Sequence, residues 1–290
     1  MSRTVIVGID GSQESAAASD WAAAEARRRE VPLRLLHAWS SEEGRRTRLV
    51  DPAAARGWGE RRLSTAARRL RRSHPDLQVQ TAWIPGDAVP TLCAAGDEAE
   101  LLVLGSRGLS GLTGFLAGSV SLAVLARTER PAVLVRPHDT AVPEAPRPAG
   151  DVVLGLDVSQ PSSELLEFAF TSADRYGCGV RVLYSWAGPA VYGPDMAGAL
   201  PLLLTELTKD WRRALDEALA PWTEKHPAVP VVRQCHQGRS TQDLTEASRT
   251  ARLVVVGRRN RHTRIGTHIG PVTHAVVHHS LAPVAVVPHD

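Results

Sequence analysis

The chain repeats itself, and a repeat this long divides it into two copies of one domain before any element is assigned. The stretch TVIVGIDGS at 4–12 returns as DVVLGLDVS at 151–159, and LRLLHAW at 33–39 returns as VRVLYSW at 180–186. Both recur at an offset of 147, which sets Asp10 opposite Asp157, Ser12 opposite Ser159 and Trp39 opposite Trp186. Further along the offset becomes 152. There Pro85-Gly86-Asp87 faces Gln237-Gly238-Arg239, ELLVLGSRG faces RLVVVGRRN, and RPAVLVR faces APVAVVP. The second copy therefore carries about five extra residues between its second and third strands. A length of 290 residues accommodates two domains of ordinary size.

Within each copy, short runs of Val, Leu and Ile alternate with longer stretches of helical pattern, the signature of β-α-β units around a parallel sheet. In the first copy the expected strands lie at about 4–9, 33–38, 78–84, 101–104 and 132–135. Their continuous apolarity implies burial on both faces, as a parallel sheet requires. Helices are expected at about 13–30, 58–73, 87–97 and 118–127, the first capped by Ser12 and ending on Arg27 to Arg29, which suit the helix dipole. The proline-rich segment PHDTAVPEAPRPAG reads as a linker, giving domains at 1–138 and 151–290 joined by 139–150.

Composition narrows the function classes. The chain is 43% hydrophobic and 22% charged, which fits a globular protein, and no apolar run is long enough for a membrane span. With no signal-peptide pattern at its start, it is expected in the cytoplasm, without membrane partners. Cys93, Cys178 and Cys235 are too scattered for a disulfide framework or a thiolate zinc site. The net charge of +3 is mild. The densest basic stretch, Arg61, Arg62, Arg68, Arg69, Arg71 and Arg72, interleaves at helical spacing with Leu63, Ala66, Ala67 and Leu70. This is the pattern of a solvated helix face, and without aromatic interleaving it does not suggest nucleic acid.

Chemistry is expected outside the carboxyl ends of the strands, where open parallel sheets bind ligands. Three loops fall there. Gly8-Ile9-Asp10-Gly11-Ser12 closes the first strand, the second follows His37-Ala38-Trp39, and GSRGLSGLTGFLAGSVS runs from Gly105 to the start of the fourth helix. Glycines let main-chain N–H groups approach a phosphate, and a helix N-terminus adds donors that the Ser119 and Ser121 hydroxyls could extend. A surface loop with no ligand would have a similar composition.

The spacing Gly105, two residues, Gly108, nine residues, Gly118-Ser119 resembles the nucleotide-binding loop of the universal stress protein family. Asp10 after the first strand, the five-strand repeat and the ending SVSLAVLARTERPAVLVR resemble it too, and the likeness covers both halves. It implies two tandem doubly wound domains with parallel five-stranded sheets, Rossmann-like or adenine-nucleotide α-hydrolase-like, paired about a pseudo-twofold axis through their fifth strands. It also implies ATP, with Mg2+ on its phosphates. The nucleotide would lie among Gly8, Asp10, Gly11 and Ser12, the main chain of Ala38 at the adenine edge, and Gly105, Ser106, Arg107, Gly108, Gly118, Ser119, Val120 and Ser121 around the phosphates. A homodimer of tandem chains is compatible with the reading.

The second half departs from this pattern: Gly11 becomes Val158, Gly108 becomes Asn260, and Gly118-Ser119 becomes Gly270-Pro271. Proline has no N–H to give a phosphate. Arg258, Arg259, Arg261 and Arg264 could return charge, so the second loop is expected to be degenerate with its nucleotide binding open.

Other chemistry fits less well. No G-x-x-x-x-G-K-[ST] motif occurs, and the only lysines, Lys209 and Lys225, lie far from the glycine-rich loops. His274 and His278 have zinc spacing but no carboxylate completes a motif, so they read as helix-end histidines. Trp39 and Trp186 are expected to pack, with stacking on adenine as the alternative. A phosphoacceptor receiver would need more acidic residues and a lysine after the fifth strand. The resulting expectation is an ATP-binding regulatory or protective module. The rivals are a slow ATPase or related adenine-nucleotide enzyme, and an interaction protein with structural nucleotide.

Overall fold

The computed structural model describes residues 4–39, 52–106, 118–137, 150–188, 200–260 and 269–290. The first half runs β1 (Val5–Gly8), α1 (Gln13–Arg29), β2 (Leu33–Trp39), α2 (Pro52–Ser73), β3 (Val79–Pro85), α3 (Ala88–Glu98), β4 (Leu101–Gly105), α4 (Ser119–Leu125) and β5 (Ala132–Val135). The second half repeats it with β6 (Val152–Gly155), α5 (Ser163–Tyr176), β7 (Val180–Trp186), α6 (Leu200–Lys225), β8 (Val231–Gln237), α7 (Ser240–Ala247), β9 (Leu253–Arg259), α8 (Pro271–His279) and β10 (Val284–His289). No described helix is long and apolar enough to cross a membrane.

The ten strands form one sheet in the order β3-β2-β1-β4-β5-β10-β9-β6-β7-β8. Pairing is parallel within each half and antiparallel at the central seam, where Val284, Ala285 and Val286 face Leu134, Val133 and Ala132. The order reads the same from either end, as a pseudo-twofold pair requires. The reason for the seam lies in the edges. At the outer edges, β3 exposes Gln80 and Thr81 and β8 exposes Arg233, Gln234 and His236. The inner edges, AVLV and VAVV, have no such polar cover and pair with each other, removing two aggregation-prone rims.

Helices cover both faces. On one, α1, α2, α5 and α6 bury a core that continues across the seam through Val133, Val135, Ala285 and Val287. On the other, α3, α4, α7 and α8 cover Leu102, Leu134, Val254 and Val286. Helix α1 begins where expected, with Ser12 Oγ accepting from Ser15 N at 3.1 Å. Its buried face is Ala18, Ala22, Ala23 and Ala26, whose small side chains let the helix lie close to the sheet.

Helix α2 starts at Pro52, six residues before the expected start at 58. Proline suits the first helical turn, and Gly57 and Gly59 are carried inside the helix. Gly59 is needed there: an added Cβ would lie 2.7 Å from His37 and 2.9 Å from Trp83. Leu63, Ala67 and Leu70 are buried while Arg61, Arg62, Arg68, Arg71 and Arg72 are exposed, so the basic stretch is a helix face. The segment assigned as linker, 139–150, lies outside the described residues except for Gly150.

Polar groups also lock the halves together. Arg136 donates to the Val277 carbonyl and Arg258 to the Thr128 carbonyl, each reaching from one half to a helix end in the other. Burial pulls the Arg136 guanidinium down to about 10. On the opposite face, fully buried Glu25 accepts from Arg29 at 2.6 Å and from the Tyr176 hydroxyl of the second half at 2.9 Å. Arg28 and Arg252 each stand over the Tyr176 ring, at 5.1 and 4.7 Å from its centroid.

Burial, and then the Glu25 carboxylate, push the Tyr176 phenol well above its ordinary value. Below the unfolded value of about 10 both states hold the proton and the full stabilisation is present. Above it the unfolded chain releases the proton while the folded chain keeps it, so stability must fall as pH rises. Urea unfolding across about pH 9 to 11 should therefore show a decline of up to ~1.4 kcal/mol per pH unit that Tyr176→Phe reduces. Equal slopes in the two proteins would remove Tyr176 from this linkage.

Candidate functional site

The first-half residues singled out in the sequence that lie among the described residues gather at the carboxyl ends of β2, β1 and β4, three adjacent strands. Topology accounts for the opening there: β1 feeds β2 on one side, while β4 arrives on its other side, so the chain leaves β1 and β4 in opposite directions and a crevice results.

The loop after β1 is a tight turn. Asp10 Oδ1 accepts from Ser12 N at 2.9 Å and from Ser12 Oγ at 2.5 Å, while Ser12 Oγ caps α1. Gly11 has φ +85, a conformation that side chains disfavour, so the turn explains this glycine directly. Arg62 of α2 lies over it: a Cβ on Gly11 would be 2.8 Å from Arg62 Nε. Reading the arginines of α2 as a uniform solvated face gave no hint that one of them borders this turn. Only packing α2 over the end of β1 brings it there.

The end of β2 is fastened to the end of β1, because buried His37 donates from Nδ1 to the Ile9 carbonyl at 2.6 Å. Ala38 follows, half-buried against the core beneath. Trp39 stacks on Trp83 with ring centroids 6.2 Å apart and planes at 24°, and Trp186 is buried, so both tryptophans pack within the protein.

At β4 the structure separates packing from ligand chemistry. A Cβ on Gly105 would lie 2.6 to 2.9 Å from the backbone of Glu14 and Ser15, so α1 itself occupies the space this glycine leaves. Gly8 is likewise filled around, by Leu104 and Leu92 at 3.2 and 3.3 Å. Ser106 is fully buried; its N–H donates to the Val135 carbonyl and its hydroxyl has no hydrogen-bond partner among the described residues. The Ser121 hydroxyl donates to the Gly105 carbonyl at 2.9 Å and ties α4 to the strand end. Thr273 does the same to Gly257 in the second half, at 2.7 Å.

Gly118 caps α4 with extended backbone and no side chain. The first hydrogen bond of the helix is Leu122 N to Gly118 O, so the N–H groups of Ser119, Val120 and Ser121 precede the ladder. Ser119 and Val120 are exposed. Arg107 and Gly108 lie outside the described residues.

The second half builds the same turn, Asp157 Oδ1 accepting from Ser159 N at 3.1 Å and Ser159 Oγ at 2.6 Å. Its strands run on further. β9 extends to Arg259 and pairs with β10 through His289, and Asn260 N then donates to the His289 carbonyl at 2.6 Å. The N–H at the position of Gly108 is thus consumed by the sheet. Of the four arginines that could return charge, Arg258 turns to Thr128 across the seam and Arg259 pairs with Asp157 at 3.2 Å. Arg261 and Arg264 lie outside the described residues.

Known proteins share this organisation. The profile of the Universal stress protein family matches residues 1–136 and again 149–288. Universal stress protein Rv2005c of Mycobacterium tuberculosis is 32% identical over 289 residues, covering 97% of this chain and 96% of its own. A universal stress protein of Mycolicibacterium smegmatis is 32% identical over 293 residues, covering 98% and 96%. Among solved structures, a universal stress protein from Archaeoglobus fulgidus superposes with a TM-score of 0.61 at 16% identity, covering all of both chains. A functionally unknown protein from Pseudomonas aeruginosa gives 0.69 at 17%, covering 99% and 93%. At those identities the structures speak for the fold alone, but the family profile and the mycobacterial relatives span nearly the whole sequence. With its two tandem copies of the domain, this chain belongs to the universal stress protein family.

Proposed function

We propose that the first half binds ATP, with Mg2+ on its phosphates, and that the chain acts in the cytoplasm as a nucleotide-responsive regulatory or protective protein. The observation that carries this reading is convergence. The Asp10-Gly11-Ser12 turn, Ala38, the Gly105-Ser106 strand end and the Gly118-Ser119 opening of α4 meet around one crevice at the switch between β1 and β4.

In this reading Asp10 lies by the nucleoside, with Gly8 and Gly11 shaping the turn and Ser12 orienting the carboxylate. The main chain of Ala38 meets the adenine edge. Gly105, Ser106, Arg107, Gly108, Gly118, Ser119, Val120 and Ser121 surround the phosphates. Among the described residues the buried hydroxyl of Ser106 has no partner and the first-turn N–H groups of α4 precede its hydrogen-bond ladder, which fits a ligand rich in acceptors. Among the described residues no three His, Cys, Asp or Glu side chains form a metal cage. Magnesium would then be carried chiefly by the phosphates and water, as is usual for this ion.

Calorimetric titration of the purified chain with ATP and magnesium should show one saturable site, and Asp10→Ala should weaken it by about tenfold or more. Two equivalent sites, or an affinity indifferent to Asp10, would refute the assignment. Phosphate release in the same samples distinguishes binding from turnover.

A further inference from the structure

The second half keeps a cavity at the carboxyl ends of its own strands, of about 830 Å³, although its anion-handling groups have been replaced or committed elsewhere. That volume lies in the range of small-molecule sites. Its lining has changed in a consistent direction.

At the phosphate end, Pro271 offers no N–H and Asn260 N is bonded to His289. The imidazole of His289 sits where a Cβ on Gly257 would be, 2.5 Å from Nε2, and it borders the cavity. The charged pair on the rim, Asp157 and Arg259, is satisfied internally. Among the described residues, the arginine at this end already has a carboxylate beside it, and the first-turn donor that Ser119 supplies in the other half is missing.

At the opposite end the change is aromatic. Residues 37, 59 and 83 are His37, Gly59 and Trp83 in the first half, and the two repeat offsets map them onto Tyr184, Trp211 and Cys235. In the first half the small Gly59 admits the other two rings. In the second half the large ring comes from the helix: Trp211 meets Tyr184 with centroids 5.3 Å apart at 59°, and both line the cavity. Leu183, Leu244 and Val256 form an apolar floor.

We propose that the second half binds an uncharged aromatic small molecule, its ring against the Tyr184–Trp211 pair, and rejects nucleoside polyphosphates. An aromatic wall and apolar floor favour a planar apolar body. Among the described residues a polyphosphate would find fewer donors here than in the first half, because Pro271 has no N–H and Asn260 N is held by the His289 carbonyl, and this disfavours its burial. The inference does not depend on ATP binding by the first half.

The test uses the full chain and N-phenyl-1-naphthylamine, an uncharged aromatic probe whose fluorescence rises on burial. Saturable binding of one probe per chain is expected, unaffected by excess ATP and magnesium and unaffected by Asp10→Ala. Trp211→Ala should lower probe affinity about tenfold by removing the ring wall. Ala187→Trp fills the exposed mouth of the cavity without removing any packed group, and should lower it at least as much. Absence of saturable binding, indifference to both substitutions, or one-for-one displacement by ATP in the Asp10→Ala protein would each overturn the proposal.

Discussion

Gly118→Val is expected to lower ATP affinity by about a hundredfold while leaving the fold and its unfolding midpoint nearly unchanged. The backbone at Gly118 has φ −62 and ψ 148, which valine adopts without strain, and the residue is half-exposed. As no side chain caps α4 at this position, none is lost. The branched side chain would nevertheless stand beside the N–H groups of Ser119 and Val120 and hold a phosphate away from them. Hydrogen bonds to charged groups contribute ~1.5 to 3 kcal/mol each, so losing two costs on the order of a hundredfold or more. Asp157→Ala, at the second half's counterpart of Asp10, should leave ATP affinity unaltered, because Pro271 supplies no N–H there and Asn260 N is held by the His289 carbonyl. Calorimetric titration of both variants checks this; a tight site that survives Gly118→Val and disappears with Asp157→Ala would reverse the assignment of the halves.

A single carboxylate at the seam should have a still larger effect. Val133 is fully buried, faces Ala285 across the antiparallel pairing and belongs to the core shared by both halves. Val133→Asp places a charge with no cationic partner in that core, at a cost of several kcal/mol even after relaxation or protonation. Set against a typical total stability of ~5 to 15 kcal/mol, this is enough to open the seam. The expected result is loss of the compact tandem unit, seen as aggregation or as two loosely tethered bodies in solution scattering. Val133→Thr, similar in shape and uncharged, should stay compact and lose only the ~1 to 3 kcal/mol that a buried hydroxyl costs. An aspartate variant with unchanged scattering and unchanged urea midpoint would mean that the seam contributes little.

The duplication and the alternation of strands and helices were legible in the sequence. The first is carried by the repeat offsets, and the second by short continuous apolar runs and helical periodicity, which act locally along the chain. Ser12 as a cap and Gly11 as a turn residue were legible for the same reason, since each answers to its immediate neighbours. What the sequence left undecided involved residues distant in the chain. Gly105 reads like a phosphate-loop glycine, yet the missing side chain makes room for the backbone of α1, ninety residues earlier. Arg258 and Arg259 read alike as charges available to an anion. Alternation along an extended β9 sends one into the seam and the other to Asp157 on the rim. Tertiary structure alone decided these roles, because whether a glycine or a guanidinium is free depends on what is packed against it, and those neighbours come from other parts of the chain.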